Sequence, residues 1–464
     1  SRYGGAGAAL TVRSVLSHHS GLPTDIAKGM WTDTPFTRLR ARLAGEQLAF
    51  PPGLVFSYSN VGYSLLGAMI QEVTGEPFSG YMTDAVLAPM GMHASSFEET
   101  PATAARLATG YRDGRPEARL PIRDRPAFGL YTSARDLVQV VRLVNRNGEV
   151  GGRRVLAADT SREMLAVQNA EVALDADMRR GLCWFLEQDS ILGGGYVVRH
   201  GGTTLLYASE LIALPEQRLG VVVLANSHGA RPMVSRLAEE ILRHVLDARE
   251  GERFAPSGDL LAEMPYGGPE GDPIPPGGAF TTELGLLTIH RENRSWCASV
   301  GSHKLDLVSL PEGWLRLSEQ AVDNLPGPLR KLGDMRLGAR AIDGREVILA
   351  RLDSQRRLLG EKLPGAPISA PWQSRLGAYR VINPDPGFPV DAVALAMEGG
   401  HLSLRYRMPL IDRRTVRLPL QPIDDHRARV LGLGRARGES VRFEVRDGLP
   451  VLHYSGYLAV PTGD

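Results

Sequence analysis

The spacing of apolar positions divides the chain into two regimes. Over roughly the first 245 residues, helical and strand periods alternate between short Gly/Pro breaks. After Tyr58-Ser59-Asn60, the residues Leu65, Leu66, Met69, Ile70 and Val73 recur at helical spacing, and Gly75 stands where a helix C-terminus takes glycine. A second helix is predicted through Asp136, Leu137, Val140, Val141 and Val144, opened by Thr132 or Ser133 as cap and closed near Asn147-Gly148. Short apolar runs at 211–214 and 221–224 flank a turn at 215–220, the pattern of a buried antiparallel hairpin. A helix over about 232–246 completes this part.

Beyond it the helical period disappears. Residues 250–278 are rich in Gly, Pro and Glu without periodicity, which predicts a linker. Alternating segments follow at 286–290, 314–317 and 347–352. After a break at Leu363-Pro364-Gly365-Ala366-Pro367, more alternation appears at 393–397, 402–406, 441–445 and 451–454. Glu398-Gly399-Gly400 and Asp447-Gly448 separate strands at hairpin spacing. This half is predicted to be all-β, in one or two small barrels or sandwiches, and shows no exact internal repeat. The expected organisation is an incomplete α/β domain over 1–248, a linker over 249–278, a β-rich module over 279–362 and another over 363–464.

Composition narrows the function classes. The length of 464 residues fits about three units, and 43% hydrophobic with 23% charged residues is ordinary for a chain that buries a core. A formal net charge of +1 supplies no field for nucleic acid or an anionic membrane, so no nucleic-acid partner is expected. No apolar run approaches the ~18 residues of a membrane-spanning helix. Cys183 and Cys297 lie far apart, so two buried free thiols are expected rather than a disulfide. Adjacent His18 and His19 match no metal-ligand spacing and suit a structural loop; no metal or cofactor is expected.

Three stretches carry candidate chemistry. They are the His19-Ser20-Gly21-Leu22-Pro23 loop, the Tyr58-Ser59-Asn60 box and the Arg199-His200-Gly201-Gly202-Thr203 segment. A phenol whose pKa neighbouring cations lower can act as general base toward a hydroxyl nucleophile, and an amide two residues on can orient substrate. Gly201 and Gly202 would let substrate approach the backbone, the Thr203 N–H could serve an oxyanion, and His200 could supply positive charge at the same edge.

In order along residues 10–245, these stretches resemble the serine hydrolases related to class C β-lactamases, penicillin-binding proteins and esterases. Pro89-Met90-Gly91-Met92 and Gly129-Leu130-Tyr131-Thr132-Ser133-Ala134-Arg135-Asp136-Leu137 add to the match. The resemblance implies an α/β (α+β) domain with an antiparallel sheet flanked by helices, followed by an all-β region of lipocalin-like type. It also implies acyl transfer through a serine ester. Tyr58 would be the general base or its relay, Asn60 a contact to substrate and lysine, and His200 the counterpart of the third-motif lysine. The Thr203 N–H would be half of the oxyanion hole, with Gly201 and Gly202 lining the substrate. The family's Ser-x-x-Lys is absent: the residues three before the only lysines, Lys28, Lys304, Lys331 and Lys362, are Asp25, Gly301, Pro328 and Leu359. That motif is expected upstream of Ser1, so this chain is expected to be silent although its family is not. Expected substrates are small esters, amides or peptidoglycan-like compounds, in an extracytoplasmic compartment. A non-catalytic cell-envelope binding or regulatory protein is the alternative. The β-rich half is expected to cover the catalytic domain or to form a homo-oligomer.

Overall fold

The structure, a computed structural model, describes residues 9–249 except 189 and 192, and residues 271–462 except 283–284, 301–302, 324–332, 353–354, 366–367 and 447. Helix α1 (Val12–Leu16) opens on a capping box in which Thr11 and Ser14 satisfy each other's backbone N–H groups. Helix α2 (Asn60–Thr74) is capped by Ser59, whose Oγ accepts from the Gly62 N–H, and ends at Gly75 in the left-handed conformation at φ 73°. Its boundaries follow the sequence; its buried face does not. Val61, Ser64 and Gly67 are buried, whereas Met69 and Val73 are exposed. The reason is close approach: a Cβ on Gly67 would lie 2.3 Å from Pro126 Cγ, so this crossing demands small residues rather than long aliphatic ones. Helix α3 (Ala134–Asn145) is capped by Ser133, and its buried Asp136 accepts from Ala94 N and Ser95 Oγ, each at 2.8 Å.

Helices α3 and α4 (Arg231–Ala248) pack on an antiparallel five-stranded sheet of consecutive order: β1 (Arg179–Arg180), β2 (Phe185–Gln188), β3 (Tyr196–Thr203), β4 (Ala208–Leu214) and β5 (Leu219–Ala225). The expected hairpin is β4–β5, with Leu211 opposite Val222. Val197, Ile212 and Leu214 from one sheet face bury against Ala238 and Leu242 of α4. Tyr196, Val198, Leu211 and Ala213 bury against Val141 and Val144 of α3.

The C-terminal half is two closed eight-stranded barrels, the lipocalin-like architecture. In the first, strands between Gly278 and Lys362 run consecutively, and Gly278–Thr282 pairs with Gln355–Lys362, first strand to last, to close the ring. Asp272–Pro273, within the expected linker, adds to the edge at Arg340 and Ala341; the rest of that linker over 250–270 lies outside the described residues. In the second, Gly377–Val381 pairs with Tyr457–Pro461, joining first strand to last. Leu395, Leu404, Leu418, Val441, Phe443 and Leu452 fill the interior, and fully buried Trp372 donates from Nε1 to the Asp424 carbonyl at 2.8 Å. Side chains occupy this barrel, so it is a packed core rather than a ligand cup.

The barrels are joined to the α/β domain by a shared interior. Phe50, Val55 and Leu174 of that domain, Trp314, Ile342 and Leu349 of the first barrel, and Leu433 of the second form one buried cluster. Beside it, Asp177 receives the Arg356 guanidinium at 2.8 and 3.0 Å and the Arg356 N–H at 2.7 Å. Burial alone would push the Asp177 carboxyl up, but the Arg356 hydrogen bonds outweigh it and hold the group below its usual value. A carboxylate depressed in the folded state stabilises above its unfolded pKa and loses that contribution as pH falls through the folded one. Asp177→Ala is expected to cost about 3 kcal/mol in chemical denaturation near pH 7, because it strands the Arg356 charge. The deficit should shrink as wild-type Asp177 itself becomes protonated in acid.

Candidate active site

The residue types of the first stretch make a scaffold before they make a site. His18 has φ 61°, a left-handed turn that throws its ring under Tyr58. The rings stack with centroids 4.1 Å apart, Tyr63 lies at 4.9 Å, and His18 Nδ1 accepts from the Ser59 N–H at 3.1 Å. The His18 carbonyl accepts from Ser57 N at 2.8 Å, and the Gly21 carbonyl from Ala49 N at 2.7 Å. His19 Nε2 meets buried Asp175 Oδ2 at 2.7 Å, while Oδ1 accepts from Phe56 N at 2.7 Å. Both histidines are thus structural, as adjacent residues in a loop suggested. Gly21 is required: at φ +69°, a Cβ would stand 1.9 Å from the Phe50 carbonyl oxygen.

Tyr58 sits half-buried just before α2, and Asn60 is its first residue. Asn60 Nδ2 donates to Asp25 Oδ1 at 2.8 Å, so its amide is held by a carboxylate in this structure. Burial pushes the Tyr58 phenol up to about 12, overriding the Arg435 and Arg180 charges that pull it down. This corrects the expectation of a cation-lowered phenol: counting cations in sequence leaves out desolvation, which here is larger.

The third segment forms most of β3. Strand pairing sets Gly201 opposite Glu210 and Gly202 opposite Ser209, and brings His200 to 6.4 Å from Tyr58 between ring centroids. Thr203 ends the strand, exposed. The glycines make no turn. A Cβ on Gly201 would lie 1.8 Å from Arg231 Nη2, and one on Gly202 2.6 Å from Ser209 Oγ, so protein groups fill both spaces. Arg231 and Arg199 hold Glu210, which is buried and also accepts from Ser235 Oγ at 2.9 Å. Burial alone would lower the His200 imidazole, but the Cys183 and Glu210 charges leave it raised.

Two further groups converge here that the sequence did not single out. Cys183 is half-buried where a buried thiol was expected, its N–H donating to the Leu16 carbonyl at 2.9 Å; Cys297 is the buried one. Its backbone explains this, since φ 76° turns the residue out of the strand path. Arg435 arrives from the second barrel, its guanidinium 5.2 Å from the Tyr58 ring centre and 3.9 Å from Asp25. Its loop is seated by Ala436 N on Thr24 Oγ1 at 2.8 Å and by Ser57 Oγ on the Gly434 carbonyl at 3.2 Å. No signal near residue 435 marks it, because its partners lie at the other end of the chain. Arg180 lies over Phe185 at 3.3 Å and Phe56 at 4.2 Å, and burial lowers it to about 9. Among the described residues, no group of three or more His, Cys, Asp or Glu side chains could hold a metal.

The Beta-lactamase family matches residues 2–246. Protein flp of Staphylococcus aureus is 27% identical over 256 residues, 52% of this chain and 48% of its own. A human beta-lactamase-like protein is 30% identical over 245 residues, covering 50% and 47%. The chain therefore spans about half the length of the curated relatives it matches. Among solved structures, SurE is 22% identical over 76% of this chain and 79% of its own, with TM-score 0.49. The octameric penicillin-binding protein homologue from Pyrococcus abyssi is 20% identical over 75% and 78%, with TM-score 0.43.

Two expectations follow from the geometry. Burial and the surrounding cations hold His18 well below its usual pKa, so the unfolded chain binds a proton that the folded one refuses below about pH 6.5. Stability should fall with acid over that range, and His18→Asn, which tolerates the left-handed turn and keeps an acceptor, should flatten the slope in denaturation curves at pH 5 and 7. Gly201→Ala should displace Arg231 from Glu210 and lower stability by about 1–3 kcal/mol, read by thermal and urea unfolding.

Proposed function

Taking as premise that the chain belongs to the Beta-lactamase family, we propose that Tyr58, Asn60, His200 and the Thr203 N–H serve a serine acyl-hydrolase site whose nucleophile comes from a Ser-x-x-Lys upstream of Ser1. The observation that carries this reading is the convergence of Tyr58 and His200 at 6.4 Å, from elements far apart in sequence. The phenol supports it too. With a pKa near 12, Tyr58 keeps its proton at neutral pH and becomes an effective base only beside a further cation, which the motif's lysine would supply. The exposed apolar stripe Met233, Leu237 and Ile241 on α4, next to exposed Leu224 on edge strand β5, gives such a segment a surface to cover.

In this reading the serine Oγ attacks an ester or amide carbonyl and passes its proton toward Tyr58. The oxyanion rests on the Thr203 N–H and the serine's own N–H, and water then releases the acyl group. His200, raised and therefore more cationic, faces a substrate carboxylate or the leaving group. A histidine there favours an esterase or D-amino-acid peptidase over an efficient β-lactamase. Peptidoglycan-like substrates would place the protein outside the cytoplasm, and among the described residues no helix is long and apolar enough to cross a membrane.

Labelling tests the assignment. This chain should take up neither fluorescent penicillin nor fluorophosphonate. A longer form bearing an upstream Ser-x-x-Lys should bind one label per molecule and lose at least about a hundredfold in acylation rate on Tyr58→Phe. Stoichiometric labelling of the present chain, abolished by Tyr58→Phe, would overturn the missing-nucleophile account.

A further inference from the structure

We propose that the cavity between the 97–99 and 119–131 segments is a second binding site, for a small organic carboxylate with an apolar body, whose headgroup is received by Arg125. The cavity holds about 290 Å³, near the lower end for small-molecule sites, and neither Tyr58 nor His200 lines it. Its walls are built by the backbone. Tyr131 and Ser96 exchange N–H bonds at 2.8 and 2.9 Å, which sets Tyr131 beside Phe97 and Glu99. Gly129 N–H donates to the Arg125 carbonyl at 2.9 Å, and a Cβ on Gly129 would stand 2.6 Å from Arg125 Cα, so glycine is what lets the chain return alongside Arg125. Leu120 and Ile122 supply the apolar side. They are themselves packed against the cluster of Trp31, Leu206 and Phe388, so this wall is in place before any guest arrives.

The three arginines of this segment differ in what they hold. Arg119 is committed to Glu99 by two bonds of 2.8 Å. Fully buried Arg123 is committed to Asp124 at 2.7 and 2.8 Å and to the carbonyls of Ile26 and Lys28, each at 2.8 Å. Arg125 is half-buried and lines the cavity, yet among the described residues its guanidinium takes part in no hydrogen bond or ion pair. A half-buried guanidinium in that state is a set of N–H donors facing an open space. Its charge is felt across the cavity: burial and Glu99 push the Tyr131 phenol up, and Arg119 and Arg125 pull it back. Arg119 and Arg125 against Glu99 leave one net positive charge on the lining. That balance suits a monoanion, whereas a phosphate dianion would bring its second charge against Glu99. The guanidinium fork matches a carboxylate through two parallel N–H···O bonds. The Tyr131 hydroxyl, 3.5 Å from Glu99 Oε2 and so only weakly engaged, is free to turn and donate to the same headgroup. Phe97, Leu120 and Ile122 then take the apolar body of the guest.

Binding to this site requires no nucleophile, so the present chain is the reagent. Sodium hexanoate titrated into it at pH 7, followed by calorimetry and by NMR, should bind saturably at one per chain with a Kd of about 1 mM or tighter. Hexanol, which has the same body without the charge, should bind at least about tenfold more weakly. Arg125→Met, checked for an unchanged thermal unfolding curve, should weaken hexanoate at least about tenfold and leave hexanol as it was. The wild-type comparison of hexanoate with hexanol is read without any variant. No saturable hexanoate binding by about 10 mM, or hexanol binding as tightly, overturns the proposal. So does full hexanoate affinity in folded Arg125→Met. Loss of binding in Arg435→Met but not in Arg125→Met would put the carboxylate in the Tyr58 cleft and overturn it as well.

Discussion

The cleft depends on the left-handed turn at His18. From that one residue, the carbonyl positions Ser57, Nδ1 positions Ser59, and the ring forms the floor under Tyr58. The Tyr-Ser-Asn box is therefore placed by backbone and ring contacts before any contact with substrate. Asp175 performs the parallel service one residue on, tying His19 to the Phe56 N–H. Desolvation is the cost of this arrangement. It depresses His18 and Arg180 and raises Tyr58, so the electrostatics of the site are governed by burial first and by specific charges second.

Within that frame the barrels are not appendages. Their hydrophobic contribution to the shared cluster and the Arg356–Asp177 pair fix the first barrel against the α/β domain. The second barrel goes further, because its 431–438 loop sets Arg435 over the Tyr58 ring. Of the two cations that partly offset the desolvation of the phenol, Arg435 is thus supplied from outside the family-matched residues.

Local pattern carried much of this to the reader of the sequence. The closing glycine of α2, the cap of α3, the β4–β5 hairpin and the strands of the C-terminal half were legible because turn chemistry and period two are local. Barrel closure was not, since first-to-last pairing such as Tyr379 with Pro461 leaves no local trace. The buried face of α2 was not legible, because contact with Pro126 selects small residues. At the site, Tyr58, Asn60, His200 and Thr203 were visible as ordered motifs. Cys183 and Arg435 were invisible, because what matters about them is the partner each meets through the fold.

Thr24 N–H, beside the Tyr-Ser-Asn box, donates to Glu439 Oε1 at 3.0 Å across 415 residues of sequence. During synthesis at about 5–20 residues per second, the α/β domain emerges tens of seconds before its partner carboxylate exists. The cleft is consequently assembled in time as well as in space. Its wall stays open through most of translation and closes only once the second barrel has formed, which couples completion of the site to completion of the chain.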